Sequence, residues 1–414
     1  MNSELIVGLD VGTTKVIVVV GQLQEGMVQI TGIGRALNSG MRKGSVVDIE
    51  DTVSAISHAL EEAETSSGVP IESCLASING NQVVSVDSKG VVAISRADGQ
   101  IQPTDIERVV DSARSVALPP NFEIIHIIPK TFTVDSQTGI KDPTGMSGIR
   151  LEAVTHVVGV STPVVKNLSR AITQSGLEIE GIVFAPIAAA KAFLGKKQKE
   201  IGSVLIDVGA SSTSMAVYEE GTLLQTKVIP IGSNHITNDI AIGLKISLDA
   251  AEKIKINETN AIVDEIKENE KVDLSKYEKD EKEKPAKKYV CEIVEARLNE
   301  LFGLIKDELA GVERDELLPA GAILIGGGAK QNGIQQYAKK ILNLPVQIGR
   351  PVFEVSGIID KLDDPEYATA AGLLLWGIDE RRNIVSNKPR VSINFGKAGG
   401  AIDKIKGIFK NFIP

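Results

Sequence analysis

The chain has 414 residues, more than one small core usually accommodates, so we expect two or three domains. With 43% hydrophobic and 24% charged residues, the composition is that of a globular protein and excludes wholesale disorder. The net charge of −9 conceals eight bases and one acid within residues 381–414, so the remaining body is acidic enough to repel nucleic acid, which is not an expected partner.

The first 80 residues have the pattern of a three-strand meander followed by a helix and a further strand. We predict strands over 5–10, 15–21 and 27–36, a helix over 50–65 and a strand over 71–78. Strand and helix patterns continue to alternate along the chain, which predicts an α/β architecture.

Residues 83–162 have the pattern of a compact insertion. Strands are predicted near 83–95, 122–135 and 151–160, with a helix over 103–117. The later part of the chain is predicted to contain a helix from Thr162, a strand over 177–184, helices over 186–194 and 290–310, a strand over 322–325 and a helix near Gly333.

Residues 258–288 differ in composition from the rest of the body. Ten acids and eight bases crowd into this segment. The composition predicts a solvated loop with no chemistry of its own.

The rarer residue types exclude several kinds of site. Cys74 and Cys291 cannot form a disulfide framework, which favours a reducing cytosol. Four scattered histidines and two distant cysteines provide no cluster for a first-row transition metal. We find no signal peptide and no run of about 18 apolar residues, so no ordinary membrane-spanning helix is expected.

An internal repeat is the most informative feature of the organisation. Residues 9–14 (LDVGTT) follow a strand pattern and precede another, and residues 206–211 (IDVGAS) do the same. Two copies almost half a chain apart predict two related halves that face each other across a cleft.

The repeated turns have the composition of a phosphate-binding hairpin. Gly12 allows close backbone approach, Thr13 and Thr14 provide hydroxyl donors, and Lys15 provides a positive charge. A hairpin turn without ligand explains one such copy equally well. The second copy and the triplet Gly326 to Gly328, which ends a predicted strand, favour a nucleotide site.

The acids of the two turns require a cation if phosphate binds there. Asp10 and Asp207 would repel a phosphate directly, so we predict Mg²⁺ between these carboxylates and the nucleotide, held through water.

Five segments together resemble the nucleotide-site signatures of the actin, Hsp70 and sugar-kinase superfamily, in the order that this superfamily has them. They are residues 10–15, 186–190, 207–213, 326–330 and 368–372. Within the superfamily the chain most resembles the FtsA family of bacterial actin-like cell-division proteins, over almost its whole length except 258–288.

The resemblance implies an α/β, actin-like, two-lobed ATPase fold (a duplicated ribonuclease H-like fold) with four subdomains. The implied boundaries are subdomain 1A at 1–82 with 163–197 and 365–380, an inserted subdomain 1C at 83–162, subdomain 2A at 198–240 and 311–364, subdomain 2B at 241–310, a flexible linker at 381–400 and a membrane-targeting helix at 401–414.

The resemblance also implies that ATP and Mg²⁺ bind in the cleft between the lobes. Residues 230–243 would form a turn and helix near the phosphates, and Glu252 and Lys255 would lie near the nucleoside. The predicted nucleotide-binding residues are Asp10, Gly12, Thr13, Thr14, Lys15, Asp207, Gly209, Ala210, Ser211, Ser212, Gly232, Glu252, Lys255, Gly326, Gly327, Gly328 and Ala329.

One position departs from relatives that hydrolyse ATP efficiently. These relatives often place a carboxylate or amide just before the first connecting helix, where this chain has Ala185. A methyl group cannot accept a proton or orient a water molecule, so we predict tight nucleotide binding with slow turnover and assign no catalytic residue.

The C-terminal residues have the pattern of an amphipathic helix. Apolar side chains share one face and three lysines lie on the other, which favours an anionic lipid surface, although docking on the body's own core is an alternative. The apolar residues are Ile402, Ile405, Ile408, Phe409, Phe412 and Ile413, and the lysines are Lys404, Lys406 and Lys410.

The resemblance implies a filament-forming protein that attaches the tubulin-like ring protein FtsZ to the cytoplasmic face of the cell membrane at the division site. Self-association would be head-to-tail. Arg297 matches the family's partner-binding arginine and would pair with the C-terminal peptide of FtsZ, although an ordinary surface arginine is the alternative. Other division proteins are possible partners of the insertion. A phosphotransferase of the sugar-kinase type on the same fold is the alternative function, whereas the short C-terminal remainder excludes an Hsp70-like chaperone.

Overall fold

The computed structural model describes residues 5–24, 27–279, 281–353, 355–358 and 360–385. The strands are β1 (Leu5–Val11), β2 (Lys15–Gln24), β3 (Met27–Leu37), β4 (Met41–Arg42), β5 (Ser45–Val46), β6 (Ser73–Ile78), β7 (Val83–Ala93), β8 (Phe122–Val134), β9 (Gln137–Ile140), β10 (Arg150–Ser161), β11 (Glu178–Phe184), β12 (Ser203–Val208), β13 (Thr213–Glu219), β14 (Thr222–Ile229), β15 (Ala322–Ile325), β16 (Val346–Ile348) and β17 (Val355–Gly357). The helices are α1 (Ile49–Ser67), α2 (Pro103–Ser112), α3 (Thr162–Gln174), α4 (Ala185–Phe193), α5 (Lys196–Ile201), α6 (Ser233–Leu244), α7 (Leu248–Glu258), α8 (Lys287–Gly311), α9 (Ile334–Leu342) and α10 (Ala368–Val385).

Two sheets that share a five-strand topology form the two lobes, and the first has one further edge strand, β17. The first has the order β11-β6-β1-β2-β3-β17 and the second has the order β14-β13-β12-β15-β16. In each, an antiparallel meander of three strands is followed by two strands that run parallel to the meander's first strand. The sequence repeat therefore reflects a duplicated fold, and the predicted actin-like α/β architecture is confirmed.

The register of the two meanders is equivalent at the repeated turns. Asp10 pairs with Ile17 across β1 and β2, and Asp207 pairs with Ser214 across β12 and β13, so the same number of residues forms each turn. This equivalence places the two acids at the same position of their respective lobes.

The insertion forms a separate sheet with the order β7-β10-β8-β9. Helix α2 packs on it, and residues of both enclose a small core of their own that includes Ile106, Val109, Phe132 and Val157. The predicted helix over 103–117 is too long, because α2 ends at Ser112.

Helices α4 and α10 cross at the centre of the first lobe. A methyl group added at Gly372 would lie 2.1 Å from the carbonyl oxygen of Ala188, so glycine is needed for this close approach. Most residues of α4 are fully buried, which explains the Ala-rich sequence that the superfamily motif contains.

Between the end of α7 and the start of α8, the described residues of the charged segment 258–288 form irregular chain with two short 3₁₀ helices, Val263–Glu265 and Leu274–Lys276, and part of the segment is buried. Val272 and Leu274 are 0% and 1% exposed and belong to the second-lobe core, and Thr259 and Ala261 are also buried. The prediction of a fully solvated loop is wrong at these positions, because short apolar stretches between the charges fill the side of the lobe.

The predicted linker 381–400 overlaps the end of α10. This helix continues to Val385, and Arg381 donates a hydrogen bond of 2.6 Å to the Leu5 carbonyl and pairs with Glu180. These contacts extend the helix beyond the predicted boundary. In the described part of the chain, no helix combines the length and apolarity needed to cross a bilayer.

Candidate functional site

The ends of the two repeated hairpins face each other across a cavity of about 830 Å³ between the lobes. Sixteen of the seventeen predicted nucleotide-binding residues line it. Ala329 does not: it is 3% exposed and packs in the second-lobe core, because the glycine segment turns inward after Gly328.

The two hairpins have the same backbone geometry. The Gly12 N–H donates to the Lys15 carbonyl at 2.9 Å, and the Gly209 N–H donates to the Ser212 carbonyl at 3.0 Å. A methyl group at Gly12 or Gly209 would lie 2.9 Å or 2.8 Å from that carbonyl oxygen, so a larger residue would open the turn.

Hydroxyl groups connect the hairpins across the cavity. Thr13 Oγ1 and Ser211 Oγ are 2.9 Å apart, and Asn79 Nδ2 donates to Ser214 Oγ at 3.0 Å. A phosphate chain entering between the hairpins would therefore meet donors from both lobes. Sequence reasoning missed Asn79, which follows β6 in no recognised motif.

The two repeated acids approach one another from opposite lobes. Burial raises the pKa of Asp10, against the hydrogen bond from Ser77 and the charge of Lys15. The pKa of Asp207 is raised to about 7 by burial and, second, by the negative charge of Asp10. Two carboxylates that each disfavour ionisation are a donor set that a divalent cation between them would stabilise, so the residues fit the predicted Mg²⁺.

The glycine triplet closes against these acids. A methyl group at Gly326, whose φ is +82°, would lie 2.3 Å from Asp207 Oδ1, and one at Gly328 would lie 2.4 Å from Val208 Cγ1. The missing side chains therefore allow the end of β15 to pack directly against Asp207 and Val208, next to the cavity.

Helices α6 and α7 form the far wall of the cavity. The N–H groups of Ser233 and Asn234 donate to the Gly209 and Ala210 carbonyls at 2.9 Å and 2.8 Å, which fixes the start of α6 against the second hairpin beside Gly232. Lys255, on α7, is buried and donates to Glu252 at 2.6 Å and to Thr237 at 2.9 Å. Burial lowers the pKa of Lys255, against the charge and hydrogen bond of Glu252.

A charge cluster at one end of the cavity was not predicted. Glu366 accepts hydrogen bonds from Lys15 and from Arg35 Nε, the latter at 2.9 Å, and Lys330 approaches from the other lobe. Glu366 comes two residues before the motif 368–372, so its position next to that motif was an available signal. Its partners are up to 351 positions away, which sequence patterns do not reveal.

The sequence is also similar to known proteins. A family model described as "Cell division protein FtsA" matches residues 204–372, and one described as "SHS2 domain inserted in FTSA" matches residues 80–159. The chain is 36% identical to the cell division protein FtsA of Pseudomonas aeruginosa, over 93% of this chain and 92% of the relative. It is also 36% identical to that of Bacillus subtilis, over 92% and 85%. This chain belongs to the FtsA family.

Solved structures agree on the fold. The PilM–PilN type IV pilus biogenesis complex matches with a TM-score of 0.67 at 17% identity, covering 90% of this chain and 98% of the other. MreB5 of Spiroplasma citri bound to ADP matches with a TM-score of 0.53 at 14% identity, covering 93% and 99%. The chain is thus an FtsA-family cell-division protein with the actin-like ATPase fold.

The partner-binding arginine predicted for the FtsA family has internal partners. Arg297, on α8, donates to both carboxylate oxygens of Asp239 at 2.7 Å and 2.9 Å and also pairs with Glu300. Its side chain is 24% exposed and lines the same cavity. Binding of an external acidic peptide here stays a prediction, and the peptide would have to share the guanidinium with these acids.

Ala185 is the first residue of α4 and lines the cavity, where it is 2% exposed. Its methyl group provides neither a proton acceptor nor a hydrogen-bond donor at that wall, and slow turnover stays a prediction. The predicted FtsA-type membrane helix at 401–414, with all its apolar and lysine positions, lies outside the described residues.

Proposed function

We propose that this protein binds ATP between its lobes, polymerises at the cytoplasmic face of the cell membrane and attaches the FtsZ ring to that membrane at the division septum. The observation that carries the nucleotide proposal is the pair of equivalent hairpins, with Thr13 and Ser211 facing each other at 2.9 Å. Because hydrogen-bond donors from both lobes line the same cavity, a single phosphate chain could bind both lobes at once and hold them together.

Asp10 and Asp207 would hold Mg²⁺ through water, whereas Thr13 and Lys15 would bind the phosphates directly. When bound, Mg²⁺ supplies positive charge that neutralises the phosphates next to these acids. Gly326 keeps the approach to Asp207 open, since any Cβ there would meet its carboxylate.

We further propose that nucleotide acts as an assembly signal, with at most slow hydrolysis. Ala185 gives the first connecting helix no group that activates water, so the bound state persists. Membership of the FtsA family and the actin-like fold support head-to-tail filaments, since stacking identical two-lobed units along one axis leaves open ends.

The partners follow from the family and from charge. Arg297 would receive the acidic C-terminal peptide of FtsZ, and the helix at 401–414 would lie on anionic lipid with its lysines toward the headgroups. The insertion, residues 83–162, would offer a surface to other division proteins.

The test is a titration of the full chain with Mg-ATP, followed by electron microscopy on an anionic lipid monolayer with and without ATP. We expect saturable binding of Mg-ATP, and ordered filaments on the monolayer that depend on ATP. Absence of binding heat at millimolar Mg-ATP would overturn the nucleotide proposal. Phosphate transfer to a small hydroxylated metabolite would instead favour the phosphotransferase.

A further inference from the structure

A buried carboxylate lies where cationic side chains of both lobes converge at the cavity. The Glu366 side chain is 7% exposed and pairs with Lys15. Its other oxygen accepts a hydrogen bond of 2.9 Å from Arg35 Nε, and Lys330 Nζ lies 3.5 Å from the oxygen that Lys15 contacts. Lys15 and Arg35 belong to β2 and β3 of the first lobe, whereas Lys330 follows β15 of the second.

Backbone contacts hold Glu366 in this place. The Asp364 side chain accepts a hydrogen bond of 3.0 Å from the Glu366 N–H at the start of the short helix Pro365–Tyr367. The Pro365 carbonyl accepts a hydrogen bond of 2.9 Å from the Gly326 N–H. The backbone that carries Glu366 is therefore tied to the glycine segment that ends β15.

Lys15 is the lysine predicted to bind phosphate, and its ammonium already has an anionic partner. Burial opposes ionisation of Glu366, but the hydrogen bond and charge of Lys15, with the charges of Lys330 and Arg35, outweigh burial and lower the pKa of Glu366. The carboxylate is therefore charged at neutral pH. A phosphate placed between the hairpins must compete with it for Lys15.

We propose that Glu366 is an internal competitor of the nucleotide's phosphates, which occupies Lys15 when no nucleotide is present and yields it when a phosphate chain enters. The inference rests on the proposed nucleotide binding and adds a means of regulating the same site. Because Glu366 also contacts Lys330, giving up Lys15 changes a contact between the lobes. Phosphate binding and lobe position are thereby coupled through one carboxylate.

The test compares binding of AMP, ADP and ATP, each with Mg²⁺, to the wild-type chain and to Glu366→Gln by calorimetry. Removing the competing charge should tighten ATP binding roughly three- to tenfold, which corresponds to about 0.7–1.4 kcal/mol. The gain should shrink from ATP to ADP to AMP, because fewer negative charges then face Lys15. A side chain with only a structural role would change all three affinities alike.

Two further variants isolate the competition for Lys15. In a Lys15→Met background, Glu366→Gln should change ATP affinity less than about twofold, because the contested ammonium is gone. Asp364→Asn keeps an oxygen for the Glu366 N–H and removes a charge that contacts Lys330 but not Lys15, so ATP affinity should stay near wild type.

The outcomes separate the two proposals. Wild-type protein that binds no Mg-ATP overturns the proposed function together with this inference. If the wild type binds Mg-ATP but Glu366→Gln binds it no more tightly, the inference alone is overturned. The inference is also overturned if Glu366→Gln tightens ATP binding equally in the Lys15→Met background, or if Asp364→Asn shows the same gain in affinity. Circular dichroism and the apo Tm establish that each variant is folded, and Glu366→Asp, which keeps the charge, should show less of the gain.

Discussion

At the scale of single residues, burial decides which side chains are charged. Asp207 and Asp10 face a shared cavity, and their pKa values are raised because burial and, for Asp207, the neighbouring acid disfavour ionisation. His126 shows the opposite direction for a base, since burial lowers its pKa. The two acids should affect the binding of ATP with Mg²⁺, and His126 should affect the stability of the fold at acid pH.

We expect Asp207→Asn to abolish the dependence of ATP affinity on Mg²⁺. In the wild type, removing Mg²⁺ with EDTA should weaken ATP binding by about tenfold or more, because the acids then repel the phosphates uncompensated. In Asp207→Asn the same removal should change the affinity only slightly. Asp111→Asn on α2, an exposed acid outside the cavity, should keep the wild-type response; calorimetry with and without EDTA measures all three.

A second expectation concerns acid stability and His126. Its Nε2 accepts the Phe184 N–H at 2.9 Å inside the first lobe, and burial, followed by the charge of His156, lowers its pKa from 6.5 to about 3. The unfolded chain gains a proton here below about pH 6.5 while the folded chain does not until about pH 3. The contribution of neutral, buried His126 to the free energy of unfolding is therefore fully present above pH 6.5 and is lost progressively as the pH falls towards 3.

The corresponding experiment compares the free energy of unfolding at pH 7.5 and 5.5 by urea denaturation. This histidine alone should account for a loss of about 1.4 kcal/mol between those values. His126→Gln, which keeps an acceptor for the Phe184 N–H, should lack that component, whereas the exposed His58→Gln on α1 should retain it. Equal losses in wild type and His126→Gln would contradict the assignment.

At the scale of elements, the fold depends on close approaches that only small residues permit. Helices α4 and α10 cross with Gly372 against the Ala188 carbonyl, and the neighbouring residues of α4 are alanines. The two superfamily motifs that form these helices are therefore Ala- and Gly-rich because of packing at the lobe's centre. The proposed nucleotide site lies at the ends of the strands beside them.

This packing predicts opposite effects for two glycines within helices. Gly372→Ala should lower stability by roughly 1–3 kcal/mol, because the new methyl group would lie 2.1 Å from backbone oxygen and the helices must separate. Gly303→Ala, in α8 with open space around it, should raise stability by about 0.5–1 kcal/mol through helix propensity. Thermal unfolding of both variants measures the difference; a stabilised Gly372→Ala would contradict the close crossing.

At the scale of the whole molecule, the two duplicated lobes share polar contacts at the cavity and an apolar core, in which Leu205 and Ile323 of the second sheet pack with first-lobe residues. The insertion also joins the second lobe through hydrogen bonds to β14. Thr226 of β14 is buried and shares its hydroxyl with Ser85 at 2.7 Å and with His156 at 2.9 Å. The buried hydroxyl of Thr226 thereby connects two strands of the insertion, β7 and β10, to β14.

The C-terminal helix is expected to determine where the molecule acts. The full chain should co-sediment with vesicles that contain anionic lipid and much less with neutral vesicles, since both the apolar face and the lysines contribute. A chain ending at Ala398 should stay in the supernatant. Replacing Lys404, Lys406 and Lys410 by glutamine should reduce binding to anionic vesicles several-fold.

If the chain ending at Ala398 pelleted as well as the full chain, another surface would be responsible. The alternative, in which the helix docks on the body, predicts a lower Tm for the shortened chain and no difference in lipid binding.

Much of the fold was present in local patterns. Strand β15 begins and ends where predicted, and the three-strand meander and α1 differ from prediction by a few residues at most, because alternation of apolar side chains is a property of neighbours in the chain. The end of α2 at Ser112 and the continuation of α10 to Val385 were missed, because packing and the contacts of Arg381 set those limits.

By itself, the sequence determined that two equivalent turns exist and that each contains an acid, a glycine and hydroxyl groups, since these are local properties of repeated segments. Only the tertiary structure decided that Thr13 meets Ser211, that Glu366 pairs with Lys15, and that Ala329 turns away from the cavity. These outcomes depend on how two lobes from distant parts of the chain fit together. Steric and electrostatic contacts of that kind follow from three-dimensional proximity, which no spacing along the chain encodes.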